Sequence, residues 1–267
     1  MKRHLLTILL TALSLCYIGE VFAWGGDAHT ATTLIAERHL TPKAKEMVEH
    51  YLGHTLPFYA TWMDQVGYSD PYYKEAPGHT NMAVDHTGKL PDNEKRSASL
   101  AIERIRKDMK HLDRLNDSTI RVNILYLIHT VADMHCPGHN YIPAAPGTPK
   151  VSYRMVKGKK NTRVSFHSFW DNDAYTYKRD RHSAERTVDK LDKLTPKEAK
   201  KIVKGTAVKW YYTEMIEAKA RALELTPTTG HIDDIPRETR LEMQRLCDEK
   251  VVAGGYRLAH ILNEIFK

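Results

Sequence analysis

His129-Thr-Val-Ala-Asp133-Met-His135-Cys136-Pro137-Gly138-His139 is the stretch around which the rest of the chain is interpreted. The apolar run from Val122 to Ile128 that precedes it has the density of a buried helix. On that helix, residues four apart project from one face, so His129 and Asp133 lie together. The Pro-Gly pair ends the helix just before His139. Two imidazoles and a carboxylate on a rigid support suit zinc, although a core helix with a satisfied polar end is the alternative.

The chain has 267 residues, enough for one large domain. Residues 1–23 are predicted to be a signal peptide, because Lys2 and Arg3 precede an apolar core and Val21-Phe22-Ala23 has the small residues of a cleavage site. No later apolar stretch reaches the length of a transmembrane helix. We therefore expect an exported protein, periplasmic or secreted, without stable membrane association, whose mature chain begins at Trp24.

Charge and cysteine content add two weaker expectations. The formal net charge of +7 suits a polyanionic substrate such as nucleic acid. The predicted mature chain keeps Cys136 and Cys247, too few for a disulfide scaffold. The two could pair, but Cys136 lies beside the presumed metal site and Cys247 in a C-terminal helix. We expect buried thiols rather than a disulfide.

Helical patterns dominate the remaining sequence, and the fold is predicted to be mainly α, in one domain with a small β-hairpin. The hairpin is predicted from two alternating segments, 151–156 and 162–166, on either side of Lys157-Gly-Lys-Lys-Asn161. Its lysines are interpreted as a solvated turn rather than a nucleic-acid contact. The main helices are predicted over 30–40, 42–52, 98–112, 195–220 and 238–266, with Thr41 and Thr195 as N-caps.

Other histidines and aspartates repeat the pattern of the central stretch. His167 and Asp171 form a second His-x-x-x-Asp pair, although either pair alone is weak evidence in a chain with 15 histidines. Cleavage before Trp24 would free an α-amine, which could chelate a metal together with the adjacent carbonyl. The complete set of candidate metal ligands is Trp24, His29, Asp64, His79, His129, Asp133, His139, His167 and Asp171.

These motifs resemble the S1/P1 nuclease family, the secreted trinuclear-zinc nucleases of fungi, plants and bacteria, whose structural relative is zinc-dependent phospholipase C. The family's initial Trp and the His five residues later correspond to Trp24 and His29. The resemblance covers nearly the whole mature chain and implies a helical phospholipase C/nuclease-like catalytic domain over residues 24–267. Its other motifs match Thr61-Trp62-Met63-Asp64 with His79, the stretch His129 to His139, Ser165 to Asp171, and Gly255-Tyr256-Arg257-Leu258-Ala259 with Asn263.

The resemblance implies three Zn²⁺ ions and assigns every candidate ligand to one of them. Asp133 is then the catalytic residue that bridges the two zincs that activate water. His135 is not a ligand in the family, and Trp62 and Trp170 are expected to pack against the site. One zinc would be held by Asp64, His79, His129 and Asp133, a second by Trp24, His29 and Asp133, and a third by His139, His167 and Asp171.

The activity implied is zinc-dependent hydrolysis of single-stranded DNA or RNA to 5′-phosphate products, with 3′-nucleotidase activity. Several departures from the family pattern put the substrate in doubt: Gly67 stands where an Arg is common, Thr80 where an aromatic is common, Cys136 replaces Gln, and 140–147 replaces a Gly-rich segment. Tyr68, Tyr72 and Tyr73 would either replace the stacking aromatic or pack within their loop. A phospholipase C-like phosphoesterase and a zinc-sequestering protein without turnover remain alternatives.

Overall fold

A computed structural model describes residues 25–66, 81–82, 97–142, 152–174 and 184–267, and this part of the chain is mainly α-helical, as predicted. Short 3₁₀ helices lie at Leu56–Tyr59, Met109–Arg114, Pro137–His139 and Ile232–Asp234, and π-helical segments at Phe169–Asp173 and Tyr211–Met215. The α-helices are α1 (Gly25–Arg38), α2 (Pro42–Leu52), α3 (Trp62–Val66), α4 (Ala98–Asp108), α5 (Asp117–His135), α6 (Phe166–Ser168), α7 (Ala184–Leu191), α8 (Pro196–Ile202), α9 (Ala207–Trp210), α10 (Ile216–Leu225) and α11 (Arg237–Ile265).

Helix α5 is the central element of the core. Asn116 caps its N-terminus, because the Asn116 side chain accepts a hydrogen bond from the amide of Thr119. Every residue from Asn123 to His135 is buried, which is the behaviour of a helix that is apolar on most sides. The helix ends where Cys136 turns extended, and a 3₁₀ turn, Pro137–His139, follows. The predicted buried helix and its end are confirmed.

Helix α11 packs along α1 and α5, and a glycine makes the contact with α1 possible. A Cβ added at Gly255 would lie 2.6 Å from both Cβ and Cγ2 of Ile35 and 2.9 Å from the carbonyl oxygen of Thr32. No side chain fits in that space without moving a backbone. Gly255 therefore sets the distance between α11 and α1, the helix that carries His29.

The β-structure is small and mostly peripheral. The predicted hairpin is confirmed: β3 (Arg154–Lys157) pairs antiparallel with β4 (Thr162–Val164), with Met155 opposite Val164. A third strand, β5 (Thr229–His231), lies parallel to β3, in the interval between the predicted helices 195–220 and 238–266. A separate two-residue parallel pair joins β1 (Asn81–Met82) to β2 (Asn140–Tyr141), directly after the 3₁₀ turn that carries His139.

The predicted long helix from Thr195 is interrupted. Its capping box is present, since Thr195 and Glu198 exchange side-chain-to-backbone hydrogen bonds, but α8 ends at Ile202. Gly205 has a φ of +120°, which no helix allows, and the Thr206 side chain then caps α9 through the amide of Lys209. Among the described residues, no helix has both the length and the apolar character that crossing a membrane demands.

The glycine at the α1–α11 contact gives a stability prediction. Gly255→Ala is expected to lower the free energy of unfolding by about 2 kcal/mol, because the added methyl group forces two packed helices apart. Gly254→Ala is the matched control, since its Cβ would lie 3.3 Å from Thr32 Cγ2 and 3.4 Å from His135 Cγ. There the better helix propensity of Ala, about 1 kcal/mol, offsets a mild clash. Urea denaturation of both variants measures the difference, and equal stabilities would contradict it.

Candidate metal centre

Asp133, near the end of α5, is the centre of the candidate site. Its carboxylate is fully buried, with Oδ1 3.3 Å from His29 Nε2 and Oδ2 3.2 Å from His129 Nε2. The two imidazole rings are stacked, with centroids 4.4 Å apart and an interplanar angle of 11°. Asp133 therefore presents one oxygen to each of two nitrogen donors, and these donors come from different helices. This is the geometry that lets a carboxylate bridge two cations.

The first group of donors also includes Asp64, which lies on the short helix α3. Its Oδ1 atom lies 3.5 Å from His129 Nε2, and donor atoms of His29, Asp64 and His129 lie within 4.8 Å of one another. Asp64 Oδ2 is buried and has no hydrogen-bond partner within the described residues. Because a buried carboxylate oxygen without a donor is costly, a bound cation would relieve this arrangement. Nitrogen and carboxylate donors at this spacing fit zinc.

A second group of donors forms beside the first. His139 Nε2 lies 3.1 Å from Asp171 Oδ1 and 3.3 Å from His167 Nε2. It also lies 3.6 Å from Asp133 Oδ1, so the two groups share a boundary. His139 and Asp171 are buried, whereas His167 is exposed, which leaves the second group open to solvent on one side.

Local structure explains how His167 and Asp171 face His139. The Ser165 side chain accepts a hydrogen bond from the Ser168 amide and so begins α6, which continues into the π-helical segment Phe169–Asp173. Trp170 anchors this segment, since its fully buried indole donates from Nε1 to Thr226 Oγ1 at 2.8 Å. The expected packing role of Trp170 is confirmed, and Trp62 likewise packs, partly buried, against the core.

The electrostatics of the first group are dominated by Asp133. Burial alone would raise its pKa, but His129 and His139 reverse this and hold the pKa of Asp133 well below its usual value. Burial opposes a charge on His129, yet attraction to Asp133 raises the pKa of that imidazole. Burial also raises the pKa of Asp64, with His129 and His29 opposing the rise. The carboxylates thus draw positive charge into a buried site, and a bound cation would supply that charge.

His135 faces away from these donors into a separate buried network. Its Nδ1 donates to the carbonyl of Val131 at 2.7 Å, and its Nε2 accepts from Arg257 Nη1 at 2.9 Å. Burial, together with the nearby guanidinium, keeps the pKa of His135 well below its usual value. A neutral imidazole with both nitrogens engaged by protein groups is not placed to bind metal, in agreement with the expectation from sequence.

Arg257 is part of a motif that matches the family, but no structural role was predicted for it from sequence. The side chain is fully buried, donates from Nε to the carbonyl of Ile202 at 3.0 Å, pairs with Glu214 and lies over the ring of Trp210. It therefore joins α11 to the C-terminal end of α5 behind the metal donors. The available signal was an arginine within a mostly apolar stretch, Val251 to Ala259, of the last helix.

Cys136 and Lys219 also lie next to the second group. Cys136 and Cys247 are buried thiols that form no disulfide in the described part of the chain, as predicted. Burial, reinforced by Asp171, raises the pKa of Cys136 well above its usual value. Lys219 Nζ donates to the carbonyl of Pro137 at 3.3 Å and lies 3.7 Å from the centre of the Phe166 ring, and burial lowers its pKa to about 8. Lys219 had no signal in the sequence.

The structure brings seven of the nine predicted ligands into these two adjoining groups. The other two, Trp24 and His79, lie outside the described residues, as do Gly67, Tyr68, Tyr72, Tyr73 and Thr80. Lys157 of the hairpin contacts Asp173 at 3.2 Å, and Lys159 and Lys160 are exposed.

Comparison with known proteins adds an independent finding. The family model described as S1/P1 Nuclease matches residues 24–267, a range that contains all nine candidate ligands. Endonuclease 1 of Arabidopsis thaliana is 24% identical over an alignment of 297 residues, gaps included. The alignment spans 98% of this chain and 93% of that protein.

The buried arginine gives a second stability prediction. Arg257→Met is expected to lower the free energy of unfolding by about 3 kcal/mol, because it removes the partner of buried His135 and leaves the Ile202 carbonyl without its donor. Arg245→Met is the matched control, an exposed arginine on the same helix, where a change below about 0.5 kcal/mol is expected. The measurement is urea denaturation of both variants. Equal losses would show that the Arg257 network adds nothing to stability.

Proposed function

The chain belongs to the S1/P1 nuclease family, and on that premise we propose that it is a zinc-dependent phosphodiesterase that hydrolyses single-stranded nucleic acid to 5′-phosphate products. The observation that carries the proposal is Asp133, buried between His29 and His129 with one oxygen directed to each. The endonuclease named among its relatives supports the reaction class, and the net charge of +7 suits a polyanionic substrate. Activity on 3′-nucleotides is part of the same proposal.

Three Zn²⁺ ions are proposed, held as the family resemblance implies. Asp133 would be shared between the ion held with Asp64, His79 and His129 and the ion held with Trp24 and His29. His139, His167 and Asp171 would hold the third. The seven described residues of this set support the proposal, because their nitrogen and oxygen donors converge and are mostly buried.

The chain's own groups prepare the site for this chemistry. When bound there, zinc lowers the pKa of water and neutralises charge on a phosphodiester. Asp133 contacts both His29 and His129, whose rings lie nearly parallel, so the two Nε2 atoms face the same carboxylate. His167, exposed at the edge of the second group, marks the side from which a phosphodiester would enter. In place of a general acid, His139, His167 and Asp171 would hold an ion that supplies positive charge for the leaving 3′-oxygen.

Export of the protein is proposed on the same basis. The family match begins at Trp24, the residue that the sequence predicts to be the first of the mature chain. A periplasmic or secreted location would follow from cleavage of residues 1–23. That cleavage would also create the α-amine that Trp24 is proposed to contribute to a metal.

Activity should depend on zinc and on Asp133. The mature chain from Trp24 is expected to cleave single-stranded DNA and RNA, to lose activity on chelation and to regain it with zinc. Asp133→Asn should lower the rate by on the order of 100-fold or more, since the amide cannot bridge two cations. Asp189→Asn, which alters an exposed carboxylate paired with Arg38, should leave the rate unchanged.

The same assay separates the alternatives when 3′-AMP and phosphatidylcholine are included. Hydrolysis of phosphatidylcholine alone would replace the nuclease assignment with a phospholipase C-like one. Zinc binding without turnover of any of these substrates would indicate a sequestering protein. Either result would contradict the proposal.

The proposed amine ligand has its own test. A chain that retains Ala23 displaces the α-amine from Trp24 and is expected to bind one zinc ion fewer than the chain that begins at Trp24. Elemental analysis after dialysis against limiting zinc measures this ratio. Identical zinc content in the two proteins would remove Trp24 from the ligand set while leaving the other donors in place.

A further inference from the structure

We propose that the sulfur of Cys136 is a fourth protein donor to the cation held by His139, His167 and Asp171, which makes this a site with sulfur, nitrogen and oxygen ligands. The inference rests on the proposed metal-dependent function. It assigns a role to a residue that departs from the family pattern. It also predicts a metal preference that a site built from imidazole and carboxylate alone would not have.

Cys136 and His139 have the sequence spacing of a zinc-binding turn. Cys136 and His139 are separated by two residues, and tight turns of this length direct two donors to a single zinc ion in many structural sites. Here the turn is the 3₁₀ helix Pro137–His139, and it is closed by a hydrogen bond of 3.1 Å from the His139 amide to the Cys136 carbonyl. The backbone therefore brings both side chains to the same side of the turn.

The sulfur of Cys136 also lies close to the other donor atoms. Donor atoms of Cys136, His139 and Asp171 lie within 4.8 Å of one another, and all three residues are buried. Cys136 belongs to the apolar cluster around Trp170, and its sulfur also lies within reach of two metal-ligating side chains. His167 lies beside this cluster, with its Nε2 atom 3.3 Å from His139 Nε2.

The groups around the sulfur leave it available to a cation. The amide of Gly138 faces the sulfur and partly opposes the rise in the pKa of Cys136 that burial and Asp171 cause. A Cβ added at Gly138 would lie 3.3 Å from Cys136 Sγ and 3.0 Å from the carbonyl oxygen of His167. Glycine therefore lets the turn approach the segment that carries His167. Within the described part of the chain, the thiol donates only to the Trp170 carbonyl, at a long distance of 3.9 Å, so little is lost when it binds a cation.

Binding would exchange one bond for another without redox change. The S–H bond of Cys136 breaks, a sulfur–metal bond forms, and the proton passes to solvent. A thiolate is a softer ligand than a carboxylate oxygen or an amide oxygen. The site should therefore favour zinc over magnesium, calcium and manganese more strongly than the Asp133 site does.

The test uses cobalt as a spectroscopic substitute for zinc in the mature protein. Wild-type protein and Cys247→Ser are expected to show a near-ultraviolet sulfur-to-cobalt charge-transfer band as the third ion binds. Cys136→Ser and Cys136→Gln, the latter restoring the residue of the family motif, should lack it. In both Cys136 variants the zinc affinity of one site should fall by roughly tenfold or more, while the remaining sites keep theirs.

The outcomes separate this inference from the proposed function. Cobalt binding by the wild-type protein without the band, or a band that persists in Cys136→Ser, would overturn the sulfur ligand even if single-stranded DNA is cleaved. A band that depends on Cys136 in a protein that cleaves no nucleic acid would support the ligand and remove the nuclease assignment. If Cys136→Ser does not fold, the wild-type and Cys247→Ser spectra still decide, since a band lost in Cys247→Ser would overturn the proposal.

Discussion

One buried carboxylate, that of Asp133, is held between imidazoles from separate helices. A charged group removed from water is strongly unfavourable unless positive charge or hydrogen-bond donors surround it. The fold meets this demand by bringing His29 from α1, His129 from α5 and His139 from the following turn to within 3.6 Å of its oxygens. Asp133 is the proposed catalytic bridge. Its carboxylate also constrains how α1, α5 and the following turn pack together, because each of them supplies an imidazole to it.

Packing behind the site fixes that meeting point. Gly255 allows α11 to lie directly against α1, and Arg257, two residues later, fastens the same helix to His135 at the end of α5. The two contacts place His29 and Asp133 relative to one another through a helix that carries no proposed ligand. His135 is neutral and hydrogen-bonds both Arg257 and the Val131 carbonyl. Its imidazole therefore separates the buried guanidinium of Arg257 from the metal donors. A closer guanidinium would oppose cation binding by electrostatic repulsion.

Much of this arrangement could be predicted from sequence, because its signals are local. The apolar density of α5, the caps at Thr41 and Thr195, and the alternation of β3 and β4 all operate over a few residues, and each was predicted correctly. The break at Gly205 was missed because one glycine in a helical pattern does not reveal its φ angle. Strand β5 was missed because three residues carry too little alternation, and it is held by tertiary pairing to β3.

The candidate site likewise combines features with local sequence signals and features that depend on contacts between distant segments. His-x-x-x-Asp spacing predicted which donors share a helical face. The sequence also placed Cys136 beside the presumed metal site, but it did not indicate that the sulfur lies within reach of His139 and Asp171, or that Arg257 is fully buried. Both depend on how α5 meets Phe169–Asp173 and α11, which are distant in sequence. The departure of Cys136 from the family pattern, which first cast doubt on the substrate, has its clearest physical consequence in the metal environment.

The most direct measurement is anomalous diffraction at the zinc edge from crystals of the mature protein grown with zinc. We expect one peak on each side of the Asp133 carboxylate, near His29 and His129, and a third among His139, His167 and Asp171. Peaks confined to surface histidines, or no peak beside Asp133, would contradict the claim that this buried carboxylate bridges two metal ions.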